Sequence, residues 1–158
     1  MRYLKLLSAG FFFAALALTG CSDSKAPKPD AKKGLPVTPE HAHGTGPNGG
    51  VVFDLGSHHA EFTVDHGKKE CTVLFLGSDE KTPSAIAAKE FVLSTKETKT
   101  KDGTVVAPMT VTLSPVDTAD GKAAKFVGTD PGIGNVADFQ GTVSGEIDGK
   151  PATGEFKE

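Results

Sequence analysis

The sequence predicts an all-β fold for residues 46–158, a single small antiparallel β-sandwich (Ig-like) or a barrel of seven to eight strands, preceded by a disordered tether. Three observations predict it. Apolar residues recur with period two in short runs, turns containing Gly separate those runs, and no window carries a sustained apolar pattern of helical period.

The first strand is expected at "VVFDL", directly behind "GPNGG". In that string Pro47 fixes φ, and Asn48 and Gly49 accept left-handed conformations, so the chain turns sharply before the strand. The second strand is "HHAEFTVD", closed by a turn at His66-Gly67. If those two residues are the whole loop, Asp65 faces Lys68, Phe62 faces Cys71, Ala60 faces Val73 and His58 faces Phe75. Phe62, Cys71, Val73 and Phe75 then share an apolar face, while His59, Glu61, Thr63 and Asp65 look the other way. A turn at Gly77-Ser78 follows, and "PSAIAAKEF" is too short for a helix and reads as a connection. After a turn at Asp102-Gly103, "MTVTLSPV" sets Met109, Val111 and Leu113 opposite Thr110, Thr112 and Ser114. Asp120-Gly121 is the next turn. The last hairpin turns at Asp148-Gly149, which puts Val143 opposite Gly154 and Gly141 opposite Phe156, large against small.

The domain order expected from the chain is a signal at 1–20, a lipidated cysteine with a flexible, histidine-bearing tether at 21–45, and the β-domain at 46–158. Arg2 and Lys5 precede the apolar run "LLSAGFFFAALAL", too short to span a bilayer comfortably. The following residues Leu18, Thr19, Gly20 and Cys21 resemble the lipobox of bacterial lipoproteins, which implies cleavage before Cys21 and acylation of its thiol. Each buried CH₂ contributes about 0.8 kcal/mol, so two or three acyl chains hold a protein on a membrane almost permanently. No second apolar segment follows, so the protein is expected to be anchored and not to span. By resemblance to the sorting of envelope lipoproteins, Ser22 favours the outer membrane with the domain in the periplasm, the inner membrane being the alternative because Asp23 stands one position later. "SDSKAPKPDAKKGLPVTPE" has four prolines and four lysines and too little apolar surface to offset its ordering entropy.

Charge narrows the function. The whole chain carries 17 Lys+Arg against 20 Asp+Glu, and loss of Arg2 and Lys5 takes its formal charge from −3 to −5. An acidic domain is a poor partner for nucleic acid, whose phosphates demand neutralisation. With Cys21 acylated, Cys71 is left without a disulfide partner, and its apolar face partners read it as a small buried hydrophobe.

All five histidines, His41, His43, His58, His59 and His66, lie in one short stretch. Neutral imidazole is the commonest metal ligand and suits zinc, copper and nickel. His41 and His43, one residue apart on a flexible arm, are able to turn to one ion. His59 and Glu61 share a strand face about 7 Å apart, close enough to bracket a metal. His58 is an alternate donor, although it points toward the apolar face. His66, roughly 23 Å from His59 along an extended strand, belongs to a different site or to none. Solvated tether sequence and an exposed strand start explain the same residues without any metal.

The stretch "HAHGTGPNGGVVFDLGSHHAEFTVDHGKKECTVLFLGSDEKTP" is similar to the N-terminal region of periplasmic adaptor subunits of resistance-nodulation-division heavy-metal efflux pumps. The match runs through Gly46, Pro47, Gly49, Gly50, Gly56 and Glu61. Asn48 stands where that motif usually has histidine, and the helical hairpin and lipoyl-like domain of a full adaptor have no counterpart. The resemblance implies a metal-related envelope role, with a divalent transition metal ion (Zn or Cu) as cofactor and an envelope protein or efflux component as partner.

Two functions are therefore expected to compete. One is a membrane-anchored extracytoplasmic lipoprotein that binds a borderline or soft divalent ion (Cu, Zn, Ni or Co) through His41, His43, His59 and Glu61, with His58 as alternate, accessory to heavy-metal efflux or homeostasis. The other is a metal-free structural or protein-interaction lipoprotein. No enzyme is expected, because the chain has no His-Glu-x-x-His, Gly-x-Ser-x-Gly or phosphate-loop string. A Cys71–His58 thiol-imidazole pair would need an electropositive setting that Phe62, Val73 and Phe75 do not supply.

Overall fold

The computed structural model describes residues 43–158. The expected signal, Cys21, His41 and the tether up to residue 42 lie outside the described residues.

Among the described residues ten strands follow in order: β1 (Val51–Leu55), β2 (His58–Asp65), β3 (Glu70–Leu76), β4 (Phe91–Thr95), β5 (Thr98–Lys99), β6 (Val105–Val106), β7 (Thr110–Val116), β8 (Lys125–Thr129), β9 (Gln140–Ile147) and β10 (Lys150–Lys157), with one 3₁₀ turn at Pro131–Gly134. Eight of them form one sheet in the order β1-β2-β3-β8-β7-β4-β9-β10, and each bonded pair in it is antiparallel; β5 and β6 make a separate small hairpin. The two ends of the sheet meet. Gly56 N–H donates to the Thr153 carbonyl at 3.3 Å, and Gly154 lies directly on the Asp54 carbonyl. The fold is thus the barrel of the two expected architectures, nearly closed, and closure protects edges that would otherwise offer unpaired backbone to other chains.

Phenylalanine fills the interior. Phe75, Phe91 and Phe126 meet with centroids 4.8–5.6 Å apart, and Phe62 and Phe53 pack on Phe156 at 4.1 and 5.9 Å. These separations are those of favourable offset and edge contacts. The faces read from the sequence hold: Val111 and Leu113 are buried while Thr110, Thr112 and Ser114 are exposed.

The last hairpin forms with the expected pairs, Val143 with Gly154 and Gly141 with Phe156, around a turn in which Asp148 and Gly149 have φ of 51° and 73°. The first long hairpin differs. Asp65 pairs with Glu70, Val64 with Cys71, Phe62 with Val73 and Ala60 with Phe75, because the loop is four residues, His66 to Lys69, with Lys69 at φ 58°. A slip of two leaves every side chain on its expected face. It does move the end of β3, so that Leu76, and with it the next loop, lies beside His59.

A Cβ on Gly154 would overlap the Asp54 carbonyl oxygen at the β1–β10 seam. Gly154→Ala is expected to cost about 2 kcal/mol by forcing the strands apart. The urea midpoint should fall with little change in slope; a midpoint equal to that of the wild type would mean that the seam does not need the contact.

Candidate metal centre

The outer face of β1 and β2 is where the arm before β1 comes to rest. Gly46-Pro47-Asn48-Gly49 is a turn closed by Gly49 N–H to the Gly46 carbonyl (3.1 Å), Gly46 N–H bonds the Gly50 carbonyl (2.9 Å), and Thr45 bridges to Val51. Gly49 has φ 82°, the left-handed conformation that glycine adopts without strain. The turn is fixed to the barrel by Glu61. Its Oε1 accepts from the backbone N–H of Asn48 (2.8 Å) and Gly50 (2.9 Å), and its Oε2 accepts from Asn48 Nδ2 (2.8 Å). Glu61 is completely buried, so this nest of donors is what satisfies it.

Folded back in this way, the arm delivers His43 to His59. The rings meet edge to face with centroids 5.5 Å apart. Two carboxylates join them. Glu80 Oε1 lies 3.1 Å from His43 Nδ1 and 3.7 Å from His59 Nε2. Asp54 Oδ2 lies 3.4 Å from His43 Nε2, and its Oδ1 lies 3.6 Å from His59 Nε2. Among the described residues neither carboxylate has a lysine or arginine within ion-pair distance.

One donor atom each from His43, His59 and Glu80 fall within 4.8 Å of one another. A tetrahedral zinc with bonds near 2.05 Å has edges of about 3.3 Å, so the two separations from Glu80 Oε1, 3.1 and 3.7 Å, are already near that value, while the two histidines would have to draw closer to enclose an ion. The remaining ring nitrogens already have partners. His59 Nδ1 lies 3.3 Å from the Gly77 carbonyl, so a proton there leaves Nε2 as a lone pair facing Glu80. His43 Nε2 lies 3.4 Å from Asp54 Oδ2, so if Nδ1 held an ion the far nitrogen would face that carboxylate. Imidazole ligands are commonly oriented in this manner by an acceptor on the far nitrogen.

Each strand and loop has a local reason for its contribution. Gly56 at φ 66° opens a two-residue turn that pairs Leu55 with His58 and hence Asp54 with His59. Glu80 sits at φ 55° in a loop closed by Gly77 N–H to the Thr82 carbonyl (2.8 Å) and Glu80 N–H to the Gly77 carbonyl (3.0 Å). The neighbouring Asp79 accepts from the Thr82 hydroxyl (2.6 Å) and from the N–H groups of Thr82 and Lys81, and these bonds lower its carboxyl to about 2.

The expected ligands divide accordingly. His43 and His59 come together. Glu61 does share the outer face with His59, but the turn occupies both of its oxygens and it is not part of the cluster. His58 is on the opposite face of β2, its ring 6.2 Å from Phe75. His66, expected in a different site or in none, lies in the β2–β3 loop, where its Nδ1–H donates to the Ile133 carbonyl at 2.8 Å. Asp54 and Glu80 were not singled out from the sequence. The Gly56-Ser57 turn was a usable signal for Asp54; Glu80 gave none until the β2–β3 register was known.

Comparison with protein families, curated proteins and solved structures finds no match to this chain. Cys71 takes no part in the cluster: the thiol is buried, donates to the Gly128 carbonyl at 3.6 Å, and is pushed up to about 11 by desolvation. Its strand partner Val64 is six residues from His58, roughly 20 Å along β2, so the thiol-imidazole pair does not form.

Proposed function

We propose that this protein is a membrane-anchored extracytoplasmic lipoprotein whose barrel binds one borderline divalent ion, Zn²⁺ or Cu²⁺, through His43, His59 and Glu80, with Asp54 and the Gly77 carbonyl orienting the imidazoles. The observation that carries the reading is the convergence of two histidines from separate elements on two carboxylates that, among the described residues, have no basic side chain to neutralise them. A donor set of imidazole nitrogen and carboxylate oxygen without sulfur suits zinc, nickel, cobalt and cupric ions over soft monovalent ones. Glu80 and Asp54 are about one-third exposed, which leaves a coordination position open to water or to an exchanging ligand. That openness, the lipobox-like leader and the resemblance to efflux adaptors favour buffering or transfer in metal homeostasis.

Calorimetric titration of the purified chain with Zn²⁺ and Cu²⁺ at physiological salt tests this. The expected result is one ion per chain with submicromolar affinity, lost in a His43→Ala, His59→Ala double variant. Binding no tighter than that of a free histidine peptide would remove the metal function and leave the interaction lipoprotein as the better reading.

A further inference from the structure

The ligands of the centre belong to three separately held pieces of chain. His43 is on the arm, His59 is in the barrel wall beside Asp54, and Glu80 is on the loop 77–82. The arm is lightly attached. Gly44, Thr45, Pro47, Asn48 and Gly49 are exposed, so it buries little apolar surface. Its fastenings are the bonds of the Gly46–Gly50 turn, the Glu61 lock on Asn48 and Gly50, the Thr45–Val51 bridge and the His43 side chain. Upstream of the lock, only the bridge and His43 remain among the described residues. His43 is nevertheless the best covered member of the cluster, its side chain 9% exposed, and its polar partners are the two carboxylates that also face His59.

We propose that the bound ion is a clamp: it fastens the arm and the 77–82 loop to the β1–β2 face, and metal occupancy decides whether residues 43–45 stay docked. The inference rests on the metal-binding reading and adds a conformational consequence to it. An ion that binds only when His43 and Glu80 are both docked shifts the docked population by mass action, by a factor of about 100 at a hundred times the dissociation constant. The Glu61 lock keeps the turn in register while His43 is released, so the site reforms without a search through the whole arm.

Hydrogen exchange read by mass spectrometry on the full chain, with Zn²⁺ at a hundred times its measured dissociation constant, tests the clamp. The amides of residues 43–45 and of 77–82 should exchange at least tenfold more slowly with zinc, those from β9 and β10 should not change, and His59→Ala should abolish the difference. Stoichiometric zinc binding with unaltered exchange in both segments would overturn the clamp and leave metal binding intact. Slowing spread equally over β9 and β10 would also overturn it, in favour of general stabilisation. Absence of zinc binding in the titration would overturn both inferences.

Discussion

His59→Ala is expected to weaken zinc binding on the order of a hundredfold or more, whereas His58→Ala should leave it nearly unchanged. The two residues are chemically identical neighbours on one strand, and alternation of side chains sends them to opposite faces. His59 Nε2 faces Glu80 and Asp54 while its Nδ1 is held by the Gly77 carbonyl, so removing the ring deletes one donor and uncouples the loop from the sheet. His58 instead packs edge-on against Phe75 at the end of the core. Its loss should lower the melting temperature by a few degrees, in the manner of a partly buried aromatic truncated to Ala, without touching the ion. Titration and thermal melts on both variants separate the roles. Equal losses of affinity would indicate that the histidine-rich stretch binds metal adventitiously, with no defined centre.

The fold was legible because its signals are local. Alternation in "HHAEFTVD" and "MTVTLSPV" sets which side chains face inward, and Asp148-Gly149 both names a turn and fixes its register. The His66 loop was harder, since a two-residue and a four-residue loop give the same faces. Only the left-handed Lys69, a conformation its side chain does not advertise, distinguishes them. That slip of two matters little for the core and much for the site, because it carries the 77–82 loop to His59. Glu80 was hidden for this reason: its place depends on a register and on a positive φ at a residue that seldom adopts one. Glu61 misled in the opposite way. A glutamate two residues from a histidine on one strand face has the spacing of a ligand pair, and nothing in that spacing reveals that the "GPNGG" turn folds onto the carboxylate first.

The Glu61 lock itself makes the second large prediction. Glu61→Ala removes a buried acceptor of three hydrogen bonds and leaves a hole beneath Gly46, which presses directly against the carboxylate. Bonds to a charged group contribute about 1.5–3 kcal/mol each, part of which returns here because Asn48 is exposed and its freed donors can reach water. The expected net cost is about 3 kcal/mol, with metal affinity falling as well, since the arm that presents His43 is no longer held. Glu61→Gln retains the volume and one oxygen able to serve both backbone N–H groups, and Asn48 can turn its amide to meet the new NH₂. That variant should lose only about 1 kcal/mol, the difference between charged and neutral acceptors, and should keep zinc affinity within a few-fold. A metal ligand would behave otherwise, because an amide replaces a carboxylate poorly on zinc and both variants would then bind equally badly. Chemical denaturation beside zinc titration of the pair thus decides whether Glu61 acts on the turn, as its hydrogen bonds require, or on the ion.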